Sequence, residues 1–193
     1  MLRSKFAGLI GAFGLLVALA ACSSPDPALY TIASVDGTAK PGGTKVVVLD
    51  RLQIARYLDR SQIVRSSEDY RVDVKSNDWW GEPLGAMLRR VIREELGQRL
   101  PRSMILSETG AVSAAPDATI DLDVQRLDED RSGNVVLQAQ ASVMFKGAKA
   151  PVLRNFRLTV PPAGPGVTGE VTAISTAVGQ LSDGLAAILV AGR

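Results

Sequence analysis

The sequence predicts an α+β fold, a mainly antiparallel sheet with two long helices packed on one face. Three consecutive stretches, 119–127, 135–146 and 152–160, alternate apolar and polar residues with the period of a strand and are separated by turn residues. Two other stretches, 83–100 and 170–190, carry apolar residues at helical spacing. Strands with one polar face belong to an antiparallel sheet that meets water on one side, so the helices must cover the other.

The chain begins with a basic segment, Arg3 and Lys5, followed by an uncharged apolar run from Phe6 to Ala21. This run is short for a bilayer span, which needs about 20 residues, and has the layout of a secretory signal. It ends in Leu19-Ala20-Ala21-Cys22, which resembles the lipobox of bacterial lipoproteins. That resemblance implies cleavage before Cys22 and acylation of Cys22, the only cysteine in the chain. A membrane anchor or an ordinary signal with a chance cysteine is the alternative. Residues 1–21 thus read as a signal peptide, 22–27 as a lipidated tether and 28–193 as one periplasmic domain. The Ser- and Pro-rich tether is an extended segment that reaches at most roughly 20 Å. In the lipoprotein resemblance, Ser23 rather than Asp after the cysteine points to the outer membrane.

Within the domain, 28–33 is a short strand candidate and 36–44 a Gly-rich loop. Residues 45–49 (KVVVL) form a continuous apolar run, expected to be a central strand buried on both faces. Residues 61–64 and 70–75 are further strands, the second half-buried through Tyr70, Val72 and Val74. Pro83 opens a helix whose stripe is Leu84, Met87, Leu88, Val91, Ile92 and Leu96, with Glu82 at the positive end of its dipole. Arg89, Arg90 and Arg93 read as a solvated face or as a patch for anionic lipid or a partner. Glu95 and Arg99, four residues apart, are expected to form a rim ion pair. Residues 103–107 form a short strand before the three-strand meander. The last helix carries Val171, Ile174, Val178, Leu181, Leu185, Ile188 and Leu189 on one side and mostly small residues elsewhere. Those small residues, Gly179 and Gly184 among them, suit close packing within the monomer or contact with another subunit.

Composition removes several chemistries. The chain has no histidine, and its net charge of +2 is accounted for by Arg3 and Lys5, which leaves no basic excess for nucleic acid. Histidine-dependent nucleophilic pairs and His or Cys zinc sites are excluded. No cofactor or metal is expected, and no enzymatic activity. Asp121 and Asp123 share a strand face and are the carboxylates available for acid–base work, although adjacent polar strands and solvent are the simpler account. Gly164 to Gly169 matches G-x-G-x-x-G, but no strand follows its helix and Pro165 lacks an N–H, so a plain loop is expected. Asp128 to Gly133 imitates the start of a calcium loop, but Ala139 stands at the twelfth position, where a Glu is required, so a hairpin turn is expected. The Trp79-Trp80 pair suits one ring turned inward and one at an interface.

Tyr57-Leu58-Asp59-Arg60-Ser61-Gln62-Ile63-Val64 resembles the YLDRPQIV segment of the PqiC-like, ABC-type transport auxiliary lipoproteins, with Ser61 in place of Pro. Tyr30-Thr31-Ile32 is similar to that family's early YTL strand. Trp80-Gly81-Glu82-Pro83-Leu84, with the helix to Leu100-Pro101, is similar to its W-x-E-P-L block. The resemblance implies a lipid-anchored accessory subunit on the periplasmic face of the outer membrane, working beside an MCE-domain protein and its inner-membrane transporter in moving lipid between membranes. A stand-alone periplasmic lipid-binding lipoprotein is the alternative, and it predicts an apolar cavity between sheet and helices. The candidate docking residues are Tyr57, Leu58, Asp59, Arg60, Gln62, Ile63, Trp79, Trp80, Glu82 and Pro83. A homo-oligomer is also compatible with the sequence.

Overall fold

The computed structural model describes residues 26–68, 70–108 and 114–192, so Cys22 and its lipobox lie outside the described residues. In chain order the elements are β1 (Ala28–Tyr30), β2 (Val46–Ile54), a 3-10 turn (Arg56–Leu58), β3 (Gln62–Ser66), β4 (Asp73–Trp80) and α1 (Leu84–Arg99). These are followed by β5 (Met104–Ser107), β6 (Ala118–Glu129), β7 (Val135–Phe145), β8 (Val152–Val160) and α2 (Gly166–Ala191).

The eight strands form one sheet in the order β1-β4-β3-β6-β2-β5, with β7 and β8 continuing from the other edge of β6. The long strand β6 makes this possible. Along one edge it pairs with β2 over Ala118–Val124 and with β3 at Glu129, and along the other it pairs with β7 throughout. The β6-β7-β8 meander is antiparallel, as its alternation predicts. The sheet as a whole is mixed, which corrects the expectation of a mainly antiparallel one. β1 runs parallel to β4, β2 to both β5 and β6, and β3 to β6. The cause is the connections, because a parallel neighbour needs a crossover rather than a tight turn. The chain leaves β2, makes the β3–β4 pair and returns through α1 before it reaches β5 and β6.

Both helices pack against the sheet and against each other, over a core that includes Val47, Leu49, Ile120, Leu137 and Val143. Every residue of the predicted α1 stripe is buried. Helix α2 is long and apolar enough to cross a membrane by length and composition, but most of it is buried in this fold. Its small residues serve contacts within the chain. A Cβ at Gly179 would lie 3.1 Å from the Val35 side chain, and one at Gly184 would overlap the Phe156 ring of β8.

Three local expectations need correction. The 45–49 run extends to Ile54 as β2, and although strands flank it on both edges, only one of its faces enters the core, through Val47 and Leu49. The first strand stops at Tyr30, after which the chain bonds to the helices, with the Ile32 N–H directed at Met87 Sδ (2.9 Å) and the Ala33 N–H at Ser175 Oγ (3.2 Å). The strand expected at 70–75 starts only at Asp73, and Tyr70, Val72 and Val74 are exposed rather than half-buried.

Glu95 and Arg99 are not a rim pair either. Both are buried, because α2 and the 32–35 segment close over the end of α1. Glu95 accepts the Val35 N–H through Oε1 (2.9 Å) and the Ser182 hydroxyl through Oε2 (2.7 Å), and burial pushes its carboxyl above the usual range. Arg99 donates to Asp183 Oδ1 (2.6 Å), Gly179 O (3.0 Å) and Val35 O (3.2 Å). A charged pair at helical spacing has thus become a polar joint between both helices and the N-terminal segment.

Candidate functional site

The two stretches most distinctive in the sequence, 57–64 and 79–83, meet at the base of the β3–β4 pair. Gln62 is registered opposite Trp79, and the Trp80 N–H donates to Ser61 O at 2.7 Å. The Gly81 N–H donates to Tyr30 O at 2.8 Å, which adds β1 to the same corner. Ser61 supplies only a carbonyl to this junction, a group that proline would supply equally.

Ahead of β3 the 3-10 turn reverses the chain, with Leu58 N–H to Ala55 O and Asp59 N–H to Arg56 O. The turn buries Leu58 and presents Asp59 and Arg60 to solvent. Arg60 Nε donates to Tyr57 O at 2.8 Å. The result is an open depression of about 340 Å³ lined by Asp59, Arg60, Ser61, Trp80, Gly81, Glu82 and Pro83. Trp80 is buried beneath it, and its rim carries both signs of charge. Glu82 is held by Arg90 of α1 at 2.6 Å, and Arg90 also reaches Thr31 Oγ1. Arg89 donates to Asp50 O at 3.0 Å, which ties α1 to the middle of β2.

The ten sequence-selected residues therefore divide. Leu58, Ile63 and Trp80 are core; Asp59, Arg60, Glu82 and Pro83 form the accessible rim; Gln62 and Trp79 lie half-buried in the strands. Trp79 donates its ring N–H to Ser76 O, so the tandem pair places one ring inward and one outward.

Tyr57 belongs to a network that composition and spacing do not reveal. Its hydroxyl donates to Asp128 Oδ2 at 2.8 Å, and burial followed by that bond pushes its pKa above the usual range. Arg126 completes the network, reaching Asp128 Oδ1 at 2.7 Å and Glu68 at 3.0 Å. Asp128 is inward because the register shifts between Val124 and Arg126, so Leu127 and Asp128 are both buried. A phase change of this kind carries no compositional signature; the only available signal is an acidic residue just after an interrupted alternation.

The remaining motifs take the simpler roles. Asp130 forms the hairpin turn, its Oδ1 accepting the Ser132 and Asn134 N–H groups, and Gly133 sits at φ 78°. Gly164 to Gly169 is the loop into α2, where the Ala163 N–H donates to Gly169 O and a side chain at 169 would collide with Gly164. Asp121 and Asp123 flank an open trough of about 520 Å³ on the helix-free face of the sheet. Each has its own partner, Arg51 at 3.3 Å for Asp121 and Gln125 at 3.2 Å for Asp123, the geometry of a solvated sheet face. Among the described residues no group of three or more His, Cys, Asp or Glu is placed to hold a metal.

A family model described as "ABC-type transport auxiliary lipoprotein component" matches residues 30–186. Two solved structures share the fold. A crystal structure of an uncharacterized protein aligns at a TM-score of 0.70 and 17% identity, over 84% of this chain and 98% of that one. Protein XCC0632 from Xanthomonas campestris, assigned to family DUF330, aligns at 0.69 and 16%, over 85% and 95%. No curated protein matches the chain.

Proposed function

From its membership of the ABC-type transport auxiliary lipoprotein components, we propose that this protein is a non-enzymatic, lipid-anchored subunit of an MCE-type intermembrane lipid transport system. It sits on the periplasmic face of the outer membrane, held by acyl chains on Cys22, and docks the periplasmic assembly there. Two or more acyl chains give stable anchoring, and confinement to one surface raises the effective concentration of the domain for a partner in front of it. Ser23 after the cysteine supports the outer membrane as its address.

One observation supports the docking role: the two stretches that carry the family resemblance, 57–64 and 80–83, meet at one accessible surface. Its rim of Asp59, Arg60 and Glu82, set over the buried Trp80, suits a protein partner, with charges that set register and orientation.

The test is affinity purification of the full chain from membranes, comparing wild type, Cys22→Ala, and an Arg60→Glu/Glu82→Lys variant. An MCE-domain protein is expected with wild type, and about tenfold less of it with the rim variant at equal membrane content. Its absence from every wild-type preparation would overturn the docking role. Density-gradient fractionation that placed wild type in the inner membrane would overturn the address.

A further inference from the structure

The other end of the β3–β4 pair has a different character. Tyr70 is fully exposed at a φ of 62°, in the left-handed region uncommon for a bulky residue, and Val72 and Val74 are exposed beside it. Single exposed apolar residues need no explanation, but these three fall within five residues of one another and stand where chain direction gives them meaning.

β1 runs parallel to β4, with Ala28 opposite Asp78 and Tyr30 opposite Trp80. Followed back from Tyr30 to Ala28, the chain therefore points toward the start of β4 and the tip. Cys22 precedes Ala28 by six residues, and Val72 precedes Asp78 by six. At a strand rise of about 3.3 Å per residue each interval spans roughly 20 Å, so the tether is long enough to bring its cysteine level with the tip.

Among the described residues, three carboxylates around the tip are ion-paired. Glu68 pairs with Arg126, and Asp73 and Glu129 both pair with Arg65. Anionic headgroups would thus meet little uncompensated carboxylate among the described residues there. Tyrosine, with an apolar ring and a polar tip, is the side chain that favours the membrane–water boundary.

We propose that the β3–β4 tip, through Tyr70, Val72 and Val74, rests in the interfacial layer of the same phospholipid leaflet that holds the acyl chains. The domain then has a second, non-covalent attachment, and the docking surface at the base of the pair is turned away from the membrane. This inference rests on the anchor proposed above.

The experiment exploits the single cysteine of the chain. Full-length lipidated protein is reconstituted into vesicles of phosphatidylethanolamine and phosphatidylglycerol, some with brominated acyl chains. Wild type, Tyr70→Cys, Val72→Cys and Lys149→Cys are treated with a thiol-reactive, environment-sensitive fluorophore. Lys149 is exposed in the β7–β8 turn, at the opposite end of β6 from the tip. The expected result is no labelling of wild type, blue-shifted emission quenched several-fold by brominated lipid at positions 70 and 72, and aqueous behaviour at 149. If wild type refuses the reagent but positions 70 and 72 behave as 149 does, the tip contact is wrong and the anchor stands. If wild type takes the reagent at Cys22, the anchor fails and the tip proposal with it.

Discussion

At the base of the β3–β4 pair, Leu58, Ile63 and Trp80 are buried, a 3-10 turn fixes the entering chain, and β1 and α1 add hydrogen bonds and an ion pair. At the tip, the register between the strands is irregular, Val64 pairing with Val74 and Ser66 with Asp73, and the apolar side chains face water. Thus one hairpin holds both a rigid platform and an element with little packing of its own. Sites that must present a fixed shape to a protein belong on the first kind of structure. A group that needs only to lie against a fluid surface can be held by the second.

The contrast gives a graded set of outcomes. Trp80→Ala should cost about 3–5 kcal/mol, since it empties the floor of the platform; thermal unfolding measures this, and a loss below about 1 kcal/mol would show that the base is no more rigid than the tip.

Next in size is a pH effect near the tip, where Glu170 of α2 is buried against Lys75 (3.2 Å), with Glu129 and Arg65 nearby. Burial raises its carboxyl to about 7, and Lys75 only partly offsets this. A raised carboxyl favours folding when protonated, so that stability is present below about pH 4.5 and is lost as pH rises through about 7. Glu170→Gln should flatten this slope and gain up to about 3 kcal/mol at pH 8 relative to wild type, measured by urea unfolding across pH. A slope identical to wild type would show that Glu170 is fully charged in the folded protein.

Tyr57→Phe should cost about 1–2 kcal/mol, because Asp128 keeps its burial but loses a donor. The smallest changes belong to the accessible positions. Tyr70→Ser and Arg60→Glu should each move stability by less than about 0.5 kcal/mol in solution. The first should affect membrane orientation and the second partner recovery.

The sequence makes some layers of this structure legible and hides others for physical reasons. Alternation and helical spacing locate the strands and both helices because they reflect which side of each element is buried. A short continuous apolar run carries no direction, so Val47 and Leu49 announce a core strand but not that β5 and β6 lie parallel beside it. The spacing of Glu95 and Arg99 reveals a same-face pair, but the cover supplied by Val35, Gly179 and Ser182 comes from segments distant in the chain. Tyr70, Val72 and Val74 mimic a half-buried strand because alternation is the same whether the apolar face meets a core or nothing in the domain. At the candidate site, the identities of residues 57–64 and 80–83 could be read, but their meeting depends on the pairing of Gln62 with Trp79. The link from Tyr57 to Asp128 was hidden by a register shift within β6.

β1 is only three residues long, yet the way it is fastened has mechanical meaning. A tug on the N-terminus, directed along the strand toward the tip, would load the β1–β4 bonds in shear, side by side, rather than peel them one at a time. The same pull reaches both helices through Met87, Ser175 and Glu95, which accept the Ile32, Ala33 and Val35 N–H groups. With the proposed anchor in place, a load entering at the N-terminus would be shared across sheet and helix layer alike.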